Sequence, residues 1–202
     1  SVLGSLDEVA VGMALTDLAS GVIEAALRVA ADSVRGPGVD GATRLSVIGM
    51  GRFGGRELGL GSDLDVLFVN DPVPGSVERE ATDEALAIAN EMQRLLSSPG
   101  VDPPVGIDAD LRPEGRSGPL VRSLASYAAY YEKWSLVWES QALLRASFVA
   151  GDVQLGERFL LMIDPLRWPD NGLTERDIRE IRRLKARVEA ERETDAEPGE
   201  RL

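Results

Sequence analysis

Two aspartates, Asp63 and Asp65, are the residues of this 202-residue sequence whose types and spacing are best suited to chemistry. They open the apolar run DLDVLFV directly after a glycine-rich segment. In an extended strand, side chains alternate between faces, so the two carboxylates share one face about 7 Å apart. Carboxylates at that spacing suit Mg²⁺ or Mn²⁺, which prefer oxygen ligands. The alternative interpretation is a glycine-rich hairpin whose two aspartates are simply exposed to solvent.

The glycines before this pair allow backbone N–H groups to come close to phosphate oxygens. They include a GxGxxG pattern ending at Gly54, which indicates a dinucleotide fold only when a helix starts there and an acid follows about 20 residues later. Here the acids follow Gly54 after 9 and 11 residues, inside a predicted strand. This spacing favours a nucleoside triphosphate bound with a metal. Ser62 adds a hydroxyl group beside the acids.

A second acidic segment, IDADLRPEGRSGPL, places Asp108, Asp110 and Arg112 on one face of another predicted strand. If this strand lies beside the first, three or four carboxylates converge, as two-metal nucleotidyl transfer requires. Arg112 and Arg116 would then offset charge on the β- and γ-phosphates. The alternative is an exposed edge strand with solvated charges. For Asp110 the pattern supports both interpretations equally.

The composition restricts the possible chemistry further. Because the sequence has no histidine and no cysteine, it excludes Ser-His-Asp catalysis, cysteine nucleophiles and zinc sites built on those side chains. A net charge of −12 disfavours non-specific nucleic-acid binding, which needs a basic face. We expect no membrane span, since no run of about 18 apolar residues is evident. The N-terminus lacks the basic region of a signal peptide, so a cytoplasmic location is expected.

The acidic segments must be positioned by the surrounding elements, and the sequence predicts an α+β fold. It consists of a small mixed sheet flanked by helices, followed by a helical C-terminal part. The predicted strands are 44–50, 63–69 and 105–111, and the predicted helices are 6–34, 76–96, 123–134, 136–149, 152–162 and one starting at Thr174. The predicted division is a catalytic lobe with an N-terminal helix (1–120), a helical part (121–192) and a flexible tail (193–202).

An aromatic stripe marks the predicted C-terminal helices. Its members recur at helical spacing, which is more typical of a packed core than of a base-stacking platform. They are Tyr127, Tyr130, Tyr131, Trp134 and Trp138. Three charged residues flank the stripe and are predicted to form ion pairs between helices: Glu139, Arg145 and Asp152.

Three ordered segments resemble the glutamine synthetase adenylyltransferase/adenylyl-removing enzyme family. They are GMGRFGGRELGLGSDLDVLFV, DADLRPEGRSGPLV and YYEKWSLVWESQALLRASFVAGD, and the resemblance runs from about residue 40 to 192. It implies a polymerase β-like nucleotidyltransferase fold. One half of such an enzyme attaches AMP from ATP to a tyrosine of glutamine synthetase, and the other half removes it by phosphorolysis. The segment ELGLGSDLD is more similar to the corresponding segment of the adenylylating half, because the segment of the removing half is closer to ELNFSSDID.

The resemblance also implies roles for individual residues. Asp63, Asp65 and Asp108 match the family's catalytic and metal-binding acids, with Mg²⁺ or Mn²⁺ as the cofactor. The implied ATP-binding residues are Gly49, Gly51, Arg52, Gly54, Gly55, Ser62, Arg112, Arg116 and Ser117. Two positions depart from the family pattern: Arg52 stands where lysine is commoner, and Asp110 stands where arginine is frequent.

Three functions remain open on these residues. The first is transfer of AMP from ATP to a tyrosine of glutamine synthetase. The second is the phosphorolytic removal of that AMP, and the third is a non-catalytic module that senses a nucleotide. For the full-length family enzyme, the resemblance implies glutamine and a PII-type signal protein as effectors, with no nucleic acid and no membrane as partners.

Overall fold

A computed structural model describes residues 7–97, 106–134, 137–170, 172, 174–183 and 186 of the chain. The helices are α1 (Glu8–Arg35), α2 (Gly51–Gly54), α3 (Glu78–Leu96), α4 (Leu124–Trp134), α5 (Val137–Leu143) and α6 (Val153–Arg167), and residues 175–183 are also helical. The strands are β1 (Thr43–Gly49), β2 (Leu64–Pro72), β3 (Ile107–Asp108), β4 (Val121–Ser123) and β5 (Ser147–Gly151).

The strands form one mixed sheet in the order β3-β2-β1-β5, with β4 also paired to β2. β1 runs antiparallel to both β2 and β5. β3 and β4 both run parallel to β2, β3 at its start and β4 further along. The predicted α+β fold with a small mixed sheet is therefore confirmed.

Helices cover both faces of this sheet, which explains why the central strands read as continuous apolar runs. On one face, Val66 and Phe68 of β2 join a core with Ile23 of α1 and Ile88 of α3. On the other face lies a second core, built from β1, β2 and the C-terminal helices. Its fully buried side chains include Ile48, Leu67, Tyr127 and Phe159. Strand β2, which carries the acids at its start, is thus fixed from both sides.

Helix α1 begins where the sequence predicts a cap. The Asp7 carboxylate accepts a hydrogen bond from the Val9 amide at 3.3 Å and so satisfies one free N–H of the first turn. By length and composition alone, α1 is apolar enough to cross a membrane, although polar residues such as Asp17 and Glu24 interrupt its apolar run. The buried residues Ile23, Leu27 and Ala30 place one face of α1 in the protein core. That pattern is typical of a helix packed on a sheet.

The structure corrects several predicted elements after residue 120. Residues 147–151 form β5 and pair with β1, although residues 147–149 were predicted as the end of the helix 136–149, and residues 121–123 form β4. Both strands are short, and their conformation depends on pairing with distant strands, which local periodicity does not reveal. The predicted strand 105–111 is reduced to Ile107–Asp108 among the described residues. The division at residue 120 stays a prediction, and the tail 193–202 lies outside the described residues.

The aromatic stripe is only partly core. Tyr127 and Tyr131 are buried as predicted, but Trp134 is 65% exposed. Tyr127 packs edge-on against Phe159 of α6 with ring centroids 5.1 Å apart. Only the part of the stripe with Tyr127 and Tyr131 therefore packs α4 against α6 and the sheet.

Candidate functional site

Strand β2 positions the first pair of acids. Leu64 and Val66 are buried, whereas Asp65 between them is half-buried and Asp63 directly precedes the strand. The Met50 amide, at the end of β1, donates to the Asp65 carbonyl at 2.8 Å. This bond fixes Asp65 beside the glycine-rich turn.

The third acid lies next to this pair, because β3 pairs with the start of β2. In the parallel register, Asp108 is the partner of Asp65, and the Leu64 amide donates to the Gly106 carbonyl at 2.9 Å. Paired residues of neighbouring strands place their side chains on the same face of a sheet. The convergence of Asp63, Asp65 and Asp108 that the sequence predicts is therefore present.

The pKa of Asp65 reflects the proximity of the other two acids. Burial raises the pKa of the Asp65 carboxyl above its usual value, and the neighbouring carboxylates of Asp108 and Asp63 raise it further. Among the described residues, no arginine or lysine forms an ion pair with any of these three acids. The three acids therefore form a region of negative charge without an ion-pair partner in the described part of the protein, although the charge of Asp108 acts on Arg116 nearby.

A glycine allows the turn to approach these acids. Gly51 opens α2 with φ +52°, and a Cβ atom there would overlap Oδ2 of Asp65. A side chain at this position is therefore excluded both by backbone conformation and by the neighbouring carboxylate. The helix is only four residues long, from Gly51 to Gly54, which is why periodicity in the sequence did not predict it.

The other predicted glycines have different surroundings. The amides of Gly54 and Gly55 donate within the turn, to the Met50 carbonyl at 2.7 Å and the Gly51 carbonyl at 3.1 Å. A Cβ at Gly54 would overlap the Gly49 carbonyl. Gly49 and Gly54 therefore allow the turn to pack closely on the end of β1.

Ser62 and Arg52 have different surroundings near the turn. The Ser62 hydroxyl accepts a hydrogen bond from the Gly59 amide at 3.1 Å and closes the tight turn before Asp63. Arg52 is exposed and lines a cavity of about 750 Å³ between α2 and the start of α1. In the structure, this cavity is separate from the one that Asp63 and Asp108 line.

The acidic cavity has a volume of about 510 Å³. Its lining combines the acids with two arginines and a few neutral side chains. The lining residues are Asp63, Gln93, Gly106, Ile107, Asp108, Ala109, Asp110, Arg112, Arg116 and Leu120. Gln93 and Gly106 were not among the predicted site residues. Nothing in the local sequence marks them, because the packing of α3 and the approach to β3 bring them there.

Arg112 is engaged by the backbone of its own loop. Its guanidinium donates to the carbonyls of Ala109 at 2.8 Å, Gly118 at 3.0 Å and Arg116 at 3.2 Å, and its side chain is only 11% exposed. The planar guanidinium is suited to such a set of acceptors. The structure therefore places Arg112 as the group that holds residues 109–118 in shape.

Arg116 and Asp110 form an ion pair at the rim of the same cavity. Arg116 Nε donates to Asp110 Oδ2 at 2.5 Å, and the arginine side chain is 86% exposed. The hydrogen bond to Asp110 raises the pKa of Arg116 above its usual value. Asp110 also meets Arg112 at 3.5 Å, so this fourth acid is neutralised by two cations. Ser117 is exposed in the short 3-10 helix Gly115–Ser117.

The acids are suitable ligands for a hard divalent cation. Carboxylate oxygens are the ligands that Mg²⁺ and Mn²⁺ prefer, and the uncompensated charge around Asp65 favours a cation. Within the described ranges, however, no group of three acidic side chains is already arranged at metal-binding distance. Asp63, Asp65 and Asp108 thus converge without forming a closed cage, and their part in metal binding stays a prediction.

For Arg145 and Asp152, the structure shows contacts other than the predicted ion pairs between helices. Arg145 pairs instead with Glu57 in the loop after α2, at 2.7 Å. The Asp152 carboxylate caps α6 by accepting from the Leu155 amide at 2.8 Å. Glu139 is buried and accepts a hydrogen bond from the Tyr130 hydroxyl at 2.7 Å.

Comparison with known proteins places this site in a family. The family model described as glutamate-ammonia ligase adenylyltransferase matches residues 1–162. The chain belongs to this family. The resemblance found in the three sequence segments is confirmed, and the match also includes α1.

Curated relatives agree with this assignment. The chain is 60% identical over 182 residues to a bifunctional glutamine synthetase adenylyltransferase/adenylyl-removing enzyme of Streptomyces coelicolor. This match covers 90% of the chain and 18% of the relative. The chain is 53% identical over 199 residues to the enzyme of the same name from Mycobacterium avium, covering 95% of the chain and 20% of that protein. The chain therefore spans about a fifth of the length of the relatives that it matches.

Proposed function

We propose that this chain transfers AMP from ATP to a tyrosine hydroxyl of glutamine synthetase. The observation that carries the proposal is the convergence of Asp63, Asp65 and Asp108 beside Gly51 in a member of the adenylyltransferase family. Three neighbouring carboxylates at a glycine turn, with no ion-pair partner among the described residues, repel one another unless a cation joins them. A metal-bound triphosphate supplies that cation.

Each acid then has a defined part in the reaction. Asp63, Asp65 and Asp108 would hold Mg²⁺ or Mn²⁺, which when bound neutralises charge on the triphosphate and lowers the pKa of the attacking hydroxyl. Asp108 faces the cavity and takes the tyrosine proton. The tyrosine oxygen forms a bond to the α-phosphorus while the bond from the α-phosphorus to the bridging oxygen breaks, and pyrophosphate leaves.

The arginines and glycines would serve the nucleotide in different ways. Arg116, exposed at the cavity rim, can turn from Asp110 to the β- and γ-phosphates. Arg112 acts through the loop that it holds in shape. Gly51 leaves the space that a phosphate oxygen needs beside Asp65. The ATP contacts predicted for Gly49, Arg52, Gly54, Gly55, Ser62 and Ser117 belong to this proposal.

The acceptor is an external tyrosine, because the chain's own three tyrosines are poor nucleophiles. Burial raises the pKa of Tyr127 and of Tyr131. Burial and the hydrogen bond to Glu139 raise the pKa of Tyr130 to about 12. An acceptor must ionise as it attacks, so these shifts disfavour self-modification.

The direct test is incorporation of label from α-labelled ATP into purified glutamine synthetase. The proposal predicts labelling by the wild type in the presence of Mg²⁺, and loss of labelling in the variant with both Asp63→Asn and Asp65→Asn. Asp83→Asn, at an acid of α3 whose side chain is 71% exposed, is the matched control and should label normally. Undiminished labelling by the double variant would refute the proposal.

The two other functions are outcomes of the same assay. Release of ADP from adenylylated glutamine synthetase, dependent on phosphate and without forward transfer, would identify the removing half. Binding of ATP without either reaction would identify a nucleotide-sensing module. The similarity of the segment ELGLGSDLD to the adenylylating half supports transfer of AMP to glutamine synthetase. Control by glutamine and by a PII-type protein is proposed for the full-length enzyme, and the cytoplasmic location stays a prediction.

A further inference from the structure

The segment that leads into β5 lies across the glycine turn. The Arg145 carbonyl lies so close to Gly54 that a Cβ there would overlap it. The Arg145 side chain continues over the next residue, where its Cδ would be 3.0 Å from a Cβ on Gly55. Arg145 therefore contacts the end of α2 with both its backbone and its side chain.

Two polar bonds fix this contact. The Arg145 guanidinium forms an ion pair with Glu57 at 2.7 Å, just beyond the turn. The Ser147 hydroxyl donates to the Gly54 carbonyl at 2.9 Å, across 93 residues of sequence. The segment 145–147 thus attaches the C-terminal part of the chain to the glycine turn.

A third contact holds the same loop against α1. Arg56 has φ +59°, a strained value for a residue with a side chain, and pairs with Asp17 of α1 at 2.7 Å. The backbone of α1 also approaches there, since a Cβ on Gly12 would be 3.4 Å from the Arg56 carbonyl. The loop therefore contacts both α1 and the segment that precedes β5. Of these two contacts, the one formed by Arg145 also reaches α2.

The far end of the turn touches the acids. The Gly55 amide donates to the Gly51 carbonyl at 3.1 Å, so the two ends of α2 are directly bonded. Gly51 in turn lies against Asp65. A displacement at Gly55 is thus transmitted over a single helical turn to the residue beside Asp65.

We propose that Arg145 is a positioning residue, which sets the distance between the glycine turn and the acids and hence the affinity for the triphosphate. This role rests on the proposed function. The ion pair itself adds little stability, because its two side chains are 50% and 56% exposed and such pairs contribute about 0–1 kcal/mol. Removal of the side chain should therefore leave the protein folded.

The test compares steady-state kinetics and nucleotide affinity across a small set of variants of the 202-residue chain. Arg145→Ala removes the side chain, and Arg145→Lys keeps the aliphatic stem and the charge. Arg145→Glu combined with Glu57→Arg reverses the ion pair. Arg158→Ala is the matched control, because Arg158 is 51% exposed and pairs with Asp71 at 2.7 Å, on the last part of β2.

We expect Arg145→Ala to raise the KM for ATP about tenfold, since small misplacements of binding groups are costly, while kcat changes less than about threefold. The Kd of a non-hydrolysable ATP analogue with Mg²⁺ should rise in parallel. Arg145→Lys and the charge-reversed pair should recover most of the affinity, and Arg158→Ala should match the wild type. An Arg145→Ala variant that binds the analogue like the control would overturn the proposal, as would equal losses in Arg145→Ala and Arg145→Lys.

Failure of the proposed function gives a different result. If the wild type binds no nucleotide, the proposed function is refuted. Hydrogen exchange at the Gly54 and Gly55 amides then tests whether Arg145 positions the glycine turn. Faster exchange in Arg145→Ala than in Arg158→Ala would support it. Equal exchange in the two variants would overturn it.

Discussion

Asp108 and Asp110 are two residues apart in sequence and line the same cavity, but they differ in their ion-pair partners. Asp108 pairs in register with Asp65 and forms no ion pair with a described cation, although its charge acts on Arg116, whereas Asp110 forms ion pairs with both Arg112 and Arg116. A carboxylate already paired with two arginines has little remaining charge for a metal, but an unpaired one beside other acids favours a cation. The comparison shows that the presence of an acid near the cavity does not define the site. The presence or absence of a neutralising partner does.

Removal of the uncompensated acids should have the largest effect. We expect the Asp63→Asn, Asp65→Asn double variant to lose AMP transfer by at least about 100-fold, because these side chains stabilise charge in the transition state. Asp110→Asn should lose less than about fivefold, since its negative charge is already balanced by two arginines. Initial rates of AMP transfer measure both. Equal losses in the two variants would abolish the distinction between the acids.

Removal of Arg112 should have the second largest effect, and mainly on stability. Arg112→Ala leaves the carbonyls of Ala109, Arg116 and Gly118 without their donor, so we expect a loss of about 2–3 kcal/mol in the free energy of unfolding. Arg112→Lys should recover only part of it, because an ammonium group cannot reproduce the planar set of donors. Urea unfolding provides the measurement. A variant as stable as the wild type would show that the loop holds its shape without Arg112.

Asp65→Asn should stabilise the metal-free protein. The pKa of Asp65 is raised in the folded state, so folding binds a proton more tightly and stability falls as the pH rises from 3.8 through the raised pKa. The variant lacks this loss and should be more stable at pH 7, by at most about 1 kcal/mol because solvent screens the half-buried group. Unfolding with EDTA present, at pH 4 and pH 7, tests this. A destabilised variant at pH 7 would contradict the assigned charge repulsion.

Arg116→Ala should have the smallest structural effect. Its side chain is 86% exposed, so its removal should leave the stability close to that of the wild type. If Arg116 turns to the triphosphate, the KM for ATP should rise roughly fivefold in the variant. Thermal unfolding and steady-state kinetics separate the two effects. An unchanged KM would assign Arg116 to the Asp110 pair alone.

The sequence predicted the part of the site that depends on alternation within strands. Alternation put Asp63 and Asp65 on one face of a strand, and Asp108 was expected beside them only if its strand lay next to the first, which the pairing of β3 with β2 shows. The conformation of the loop 109–118 was harder to predict, since the sequence alone does not show which carbonyl groups accept hydrogen bonds from Arg112. Strand β5 was missed because it extends a helix-like apolar pattern and forms only by pairing with β1. The contact of Arg145 with the turn depends on that missed pairing.

The central claim is that Asp63, Asp65 and Asp108 hold a metal-bound triphosphate. It is tested most directly by calorimetric titration of the wild type and of the Asp63→Asn, Asp65→Asn variant with a non-hydrolysable ATP analogue, each with Mg²⁺ and with EDTA. The account predicts binding to the wild type that requires Mg²⁺ and is lost in the variant. Binding of equal affinity in EDTA, or an unchanged affinity in the variant, would contradict it.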